Sequence, residues 1–599
     1  MENAILSLEG NNPEVEEKSS SANKSSESVD GGKTWKQTPF YCSEGLGLSA
    51  GVDSLCSEDE VLYEDEQELQ DQTLLGCAAF DDLNFDGLSP SIQNCQEEIT
   101  KLGEIVQNGN QDSEHKKDKR SEELHLASLE LLRRFGNGFR LLNSGRIVEP
   151  TYDAPPYTAV ESRGFSTEEI MGIAGAKFIQ SASQSVEVSS MFDNPFDLSL
   201  AGLSHEDAKM VELSEFLLAS AEKVSCEQFD SARRLLKHCE ECSSDVGNPV
   251  ERVVYYFSEA LRERIEIKSG RVTSNGLKKN QSVHIYDTMK TSKQSFDMDT
   301  AMMRPNPTIL ECQRVMPFCQ ISHFAGIQAI VENVAEAERI HIIDLGIRNG
   351  AQWAILMQAL ASRCECPLEL LKITAIGTTS KHLIEDTGRW LKSFAQNMNI
   401  PFSFKIVMVS DLLDLKENLL EIAVEEKIAV YSSYLPRKLI AMPNRLDSMM
   451  KMIRNINPCI MVVTEVEANH NAPSFVHRFV DLLFYYSAYF DCLDACMERD
   501  DPNRMITESL YFGEGIRNSV ASEGEERIIR SVKLDVWRAF FARFGMVETD
   551  LSSSSLYQAK LIVKKFNFAS SFTLDVDGKS LLFGWKGTPL HSLSAWNFT

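Results

Sequence analysis

Basic residues are what this chain conspicuously lacks in its first part: none lies between Lys36 and Lys101. Residues 1–120 hold 26 acids and 9 Lys or Arg, a net of −17, so the formal −28 of the whole chain leaves −11 for residues 121–599. That balance argues against direct, sequence-specific DNA binding as the main mode, because affinity for phosphates needs Lys and Arg concentrated on one face. No apolar run approaches the roughly eighteen residues of a membrane span, and the start carries no basic segment followed by an apolar one. No membrane contact is therefore expected. The 14 cysteines are scattered, as in a soluble protein of a reducing compartment. Only Cys239 and Cys242 have metal-like spacing; they lack a second CxxC, and their helical setting reads as structural.

Catalytic fingerprints are also scarce. Gly578-Lys579-Ser580 lacks the earlier glycine of a phosphate loop, and Asp577-Gly578 suits a hairpin turn. Gly47-Leu48-Ser49-Ala50-Gly51 falls in the acidic tail instead of a strand–helix elbow, and no Cys and His pair has a recognisable setting. No catalytic, cofactor-binding or metal-binding residue is assigned, and no cofactor is expected.

What is present begins with residues 57–88, where carboxylates interleave with Leu62, Tyr63, Leu74, Leu75, Phe80, Leu83 and Phe85. Such a segment buries too little apolar surface to offset its ordering entropy, and residues 1–120, which contain it, are expected to form a disordered acidic region. Two roles stay open: an amphipathic activation segment or a solubilising tail. The run Lys116, Lys117, Lys119 and Arg120 at its edge is a nuclear import candidate. A helical pattern at 122–142, broken by the prolines of 150–157, and a helix capped by Ser166 or Thr167 complete a preface, 121–205.

The main domain is expected over 206–599, with a mainly helical part to about 335 and an α/β core from 336. In the first part Leu213, Leu217 and Val224 repeat at helical spacing. They pack within the chain or face a partner. From Glu336 onward RIHIIDL, LELLKITAIG, FSFKIVMVS, EEKIAVYSS and PCIMVVTEVE read as strands buried on both faces, with helices between them. The pattern predicts a doubly wound, mostly parallel, Rossmann-like sheet. Ile340, His341, Ile342, Ile343 and Asp344 form its first strand; His341 suits a hydrogen-bonded core histidine, and Asp344 a cap on the following turn. Gly346 and Gly350 then bracket a turn that resembles a cofactor loop, but Arg348 stands where the middle glycine of such loops lies. The strand LELLKITAIG ends in Gly377 and threonines instead of the acid that holds a ribose. Gly346 is expected to avoid a Cβ clash on leaving the strand, and Gly350 to let the next helix start close to the sheet.

The ordered motifs resemble the plant GRAS family of transcriptional regulators over roughly 206–599. LSEFLLASAEKV and ERVVYYFSEALRERI are similar to its first leucine-rich region, and IHIID with Gly350, Gln352 and Trp353 to its VHIID signature. TEVEANHNAPSFVHRFVDLLFYYSAYFD resembles the stretch after its second leucine-rich region, NSVASEGEERIIRSVKLDVWR its penultimate block, and Trp585, Ser594, Ala595 and Trp596 its closing SAW block. Two departures stand out: Gly346 where the family commonly has an acid, and Glu514-Gly515 where it has Arg-Glu. The gibberellin-receptor motif of the DELLA branch has no counterpart in residues 1–120.

The resemblance implies a methyltransferase-like core with an α-helical cap, nuclear location, and regulation of transcription through partner proteins. Expected partners are other GRAS-like chains, as homo- or heterodimers, and DNA-binding factors such as zinc-finger proteins, with DNA contact indirect. Partner-contact candidates are Leu213, Leu217, Val224, Arg348 and Gln352, while Trp585 and Trp596 are expected to seal the sheet's edge. The alternative is a small-molecule protein, a methyltransferase or a receptor for S-adenosylmethionine or a hormone, using the crevice beyond Gly346 to Gly350.

Overall fold

The computed structural model describes residues 165–183, 203–271, 303, 306–363 and 366–598. The acidic segment 57–88, the basic run 115–120 and the patterns at 122–142 and 150–157 lie outside the described residues. Helix α1 (Thr167–Ser183) starts at the expected signal, since Ser166 Oγ accepts the Glu169 N–H while Glu169 Oε2 accepts that of Ser166. Then come α2 (His205–Ser225), α3 (Phe229–Cys242) and α4 (Pro249–Lys268), the last opened by an Asn248–Glu251 capping box with Pro249 at its first position. Helix α2 packs on α1, α3 and α4. Leu213, Leu217 and Val224 are 3, 0 and 3% exposed, inside that pack. A partner face at these three positions is thereby corrected to internal packing, for the apolar stripe of α2 already has its neighbours within the chain.

Two further helices, α5 (Pro307–Val315) and α6 (Phe318–Asn333), precede the sheet. Five parallel strands follow: β1 (Arg339–Asp344), β2 (Leu370–Gly377), β3 (Phe402–Met408), β4 (Lys427–Ser433) and β5 (Ile460–Val466). Helices α7 (Ala351–Ala361), α8 (Lys381–Asn397) and α9 (Pro443–Ile456) connect them. Beyond β5 lie α10 (Phe475–Cys496), a π-helical turn at Thr507–Phe512, α11 (Gly513–Ala521) and α12 (Leu534–Ala542). The chain finishes with β6 (Met546–Thr549), α13 (Ser553–Lys564), β7 (Phe572–Asp577), β8 (Ser580–Trp585) and β9 (Thr588–Phe598), all antiparallel to their neighbours. The strand order is β3-β2-β1-β4-β5-β9-β8-β7, with β6 also on β9. Gly578, at φ +60°, turns the β7–β8 hairpin where Asp577-Gly578 predicts it.

Each face of the sheet carries its own apolar cluster. Ile340, Ile342, Ala429, Tyr431, Ile460 and Val462 face one layer, and Ile343, Val430, Met461 and Val463 the other. Strand alternation explains this division, because successive side chains point to opposite faces. The helical part is not one contiguous segment: α6 packs on the sheet and α13, whereas α10 and α11, from beyond β5, pack on α4. Buried charge fastens the two parts. Arg252 of α4 pairs with Glu508 of the π turn at 3.1 Å, both 0% exposed, and Arg504 reaches the same carboxylate at 3.1 Å. Breaking one partner of such a buried pair costs far more than the pair contributes net, so it acts as a lock.

Trp585 and Trp596 are both buried, but β8 and β9 are interior strands and β7 forms that edge. Trp596 packs on Phe541 of α12 and donates to Ser594 Oγ at 2.9 Å, while Ala595 pairs with Val462 and Thr549. Trp585 donates to Asp491 of α10 at 2.7 Å. These indoles join sheet to helices, which corrects the edge-sealing role. At Gly515, one of the family departures, a Cβ would run into the Tyr486 hydroxyl.

Candidate functional site

Strand order reverses beside β1, which has β2 on one side and β4 on the other. Ligands of open α/β sheets sit beyond the strand ends at such a place. The turn from Leu345 to Gly350 occupies it here. At its base Asp344 is 1% exposed: Oδ1 accepts the Gly346 N–H at 3.1 Å, and Oδ2 accepts the Trp353 indole at 2.9 Å and the Gln352 amide at 3.3 Å. Burial pushes this carboxyl up to about 6, against the donors that favour its charged form. Gln352 is buried in this support, so its candidacy as a partner contact is corrected.

Three residues back, His341 lies between Thr374 Oγ1 and Glu426 Oε2, each 2.8 Å from a ring nitrogen. Burial pulls the imidazole down to about 4, which fits the core histidine expected from its alternation with Ile340 and Ile342. Gly350 has φ +73°, and a Cβ on it would come within 2.8 Å of Thr387 Cγ2 and 3.3 Å of Leu391 Cδ1. The close neighbour is thus α8, not the sheet. Gly346 has room, the nearest atom being 4.0 Å from a Cβ, so its expected steric role is also corrected. Helix α8 clasps the turn, with Thr387 Oγ1 donating to the Arg348 carbonyl and Trp390 Nε1 to that of Asn349, both at 3.1 Å.

Arg348 is half-buried, with its guanidinium 5.0 Å from the centroid of the Tyr434 ring. Arg437, just after β4, lies 5.2 Å from the same centroid. Tyr434 holds φ +59°, a strained setting for a bulky residue, fixed by its N–H on the Thr464 carbonyl and by a 3.1 Å hydrogen bond between its hydroxyl and His591 Nδ1.

Sequence reasoning missed Cys319 and His323, which α6 brings together with Sγ 3.5 Å from Nε2, next to Arg348 in electrostatic reach. Their i,i+4 spacing in FCQISHF was the available signal. Burial pushes the thiol up to about 11 and the imidazole down to about 4. A nucleophilic pair needs the opposite, a thiolate beside a basic imidazole. At the end of β2, where an acid would hold ribose hydroxyls, a Cβ on Gly377 would strike Ile384 and come within 3.1 Å of Met408 Sδ. Cys239 is buried with its thiol pushed up to about 11, and no cluster of three metal-ligating side chains occurs among the described residues.

The GRAS domain family model matches residues 213–597. The DELLA protein RGL1 of Arabidopsis thaliana is 33% identical over 387 residues, 64% of this chain and 70% of that protein. DELLA protein 1 of Medicago truncatula is 29% identical over 401 residues, 64% of this chain and 63% of that protein, so the match spans under two-thirds of that relative. The crystal structure of SCL7 in Oryza sativa shares the fold, with a TM-score of 0.55 at 24% identity, 64% of this chain and 99% of that one being covered. With a family model matching more than half of its length, this chain belongs to the GRAS domain family.

Proposed function

We propose that this protein is a nuclear transcriptional co-regulator that works by protein–protein contact and reaches DNA through DNA-binding partners such as zinc-finger proteins. The carrying observation is the furnishing of the crevice mouth. Arg348, Tyr434, Arg437 and the 37% exposed Trp390 gather where a cofactor of this fold class would enter. Arg, Tyr and Trp are the residues that dominate protein-contact energy. Family membership supports the regulatory class.

Dimerisation with a GRAS-like chain uses outward residues of the helical part, since Leu213, Leu217 and Val224 are enclosed. Residues 57–88 recruit transcription machinery, and Lys116, Lys117, Lys119 and Arg120 direct import. Calorimetric titration of the full chain with S-adenosylmethionine tests the reading. Heats indistinguishable from dilution agree with it; saturable micromolar binding moves the function to small-molecule chemistry.

A further inference from the structure

The side chains of Arg348 and Arg437 have no carboxylate within ion-pair distance among the described residues, and neither guanidinium donates a hydrogen bond there. Other half-buried arginines of this chain are engaged: Arg445 grips Asp411 through two bonds, and Arg538 reaches Glu548, Asp535 and Asp577. In an acidic protein, two guanidiniums over one ring without a direct ion pair, acting only at longer range on the buried Asp344 and Glu465, are an unusual arrangement. Keeping them so needs support, and the fold supplies it. Tyr434 is held in a left-handed conformation with its hydroxyl on His591, and the Arg348 backbone is held by Thr387. The acids beside them are already committed or enclosed: Asp344 accepts three donors, and Glu465 is 1% exposed with Oε1 accepting the Arg437 N–H at 3.2 Å. Two buried polar atoms within electrostatic reach of Tyr434, the Tyr431 hydroxyl and Glu465 Oε2, have no hydrogen-bond partner among the described residues.

We propose that Arg348 and Arg437 form a clamp for a carboxylate on an acidic peptide segment of a protein partner, which lies across Tyr434 with Trp390 at the lip. The inference rests on the co-regulator reading and specifies the partner's chemistry. Guanidinium forks pair with carboxylates bidentately, and the aromatic face keeps the forks oriented before the ligand arrives.

The test uses the full chain and a short fluorescein-labelled peptide of alternating Glu and Leu, read by fluorescence anisotropy, with its Glu-to-Gln counterpart as control. The Glu peptide should bind with salt-sensitive affinity and the Gln peptide roughly tenfold or more weakly. Arg348→Gln with Arg437→Gln should remove that preference while the melting curve is retained. Arg348→Glu with Arg437→Glu should instead favour a Lys-Leu peptide. The peptide-side change alters no residue of the fold, so it stands even where a variant is unstable. Equal binding of the Glu and Gln peptides overturns the carboxylate clamp, yet leaves a partner surface in place. Absence of binding by either peptide also overturns it, as does displacement by a DNA duplex that itself needs both arginines, which would make the occupant nucleic acid.

Discussion

The Trp353 indole donates to Asp344 Oδ2 at 2.9 Å, tying the first turn of α7 to the last residue of β1. The Asp344 carboxylate is thus committed to the protein's own backbone and side chains. Asp344→Ala leaves three buried donors without an acceptor and should cost about 3 kcal/mol or more of unfolding free energy, measured by urea denaturation at neutral pH. Asp344→Asn keeps one acceptor oxygen and should cost less. Equal, small losses for both would show that the hydrogen bonds do not hold the turn.

The two glycines of the turn should separate cleanly. Gly350→Val combines a left-handed backbone with contact on Thr387, and should destabilise by about 1 to 3 kcal/mol or more. Gly346→Ala, with no atom nearer than 4.0 Å to its Cβ, should stay within about 0.5 kcal/mol of the parent. Similar midpoints for both variants in the same denaturation series would contradict the assignment of strain to Gly350 alone.

Protonation of His591 offers a pH test. Its ring lies between the hydroxyls of Tyr434 and Tyr489, and burial pulls it down to about 3. A depressed imidazole means that the unfolded chain binds the extra proton, so this group's contribution is present above its unfolded value of about 6.5 and is lost as pH falls toward 3. Glu465, raised to about 7 by burial, acts in the opposite sense, since its folded form holds the proton and stability falls as pH rises through 7. His591→Gln should therefore flatten the acid-side loss while leaving unchanged the Glu465 contribution, which fades between its ordinary value of 4.5 and about 7. An unaltered acid limb would remove His591 from the account.

Residues 57–88 carry a separate expectation. Replacing Leu74, Leu75, Phe80 and Phe85 with Ala should lower activation of a tethered reporter without moving the melting temperature of the chain. An unchanged reporter would assign the segment a solubilising role.

The parallel half of the fold was legible because strands buried on both faces leave continuous apolar runs: RIHIID, LLKITAIG, FSFKIVM, KIAVYSS and IMVVTEV all form strands within a few residues of the expected bounds. The destination of α10 and α11 was not legible, for amphipathic periodicity says that a helix buries a stripe but not against which layer. For the same reason the stripe of Leu213, Leu217 and Val224 left internal and external packing open. At the site, His341 and Asp344 follow from strand position alone. Tyr434, Arg437 and the Cys319–His323 pair do not, because their meeting depends on β4 and α6 coming alongside β1, a relation between segments far apart in sequence.

Docking of a protein partner beyond β1 and β4, as proposed above, requires Arg348 and Arg437. Proximity labelling in plant nuclei, comparing the full chain with Arg348→Glu and Arg437→Glu combined at matched abundance, tests it most directly. The account predicts that the charge-reversed chain loses a defined set of nuclear neighbours carrying acidic segments while still reaching the nucleus. An unchanged set of neighbours would contradict it.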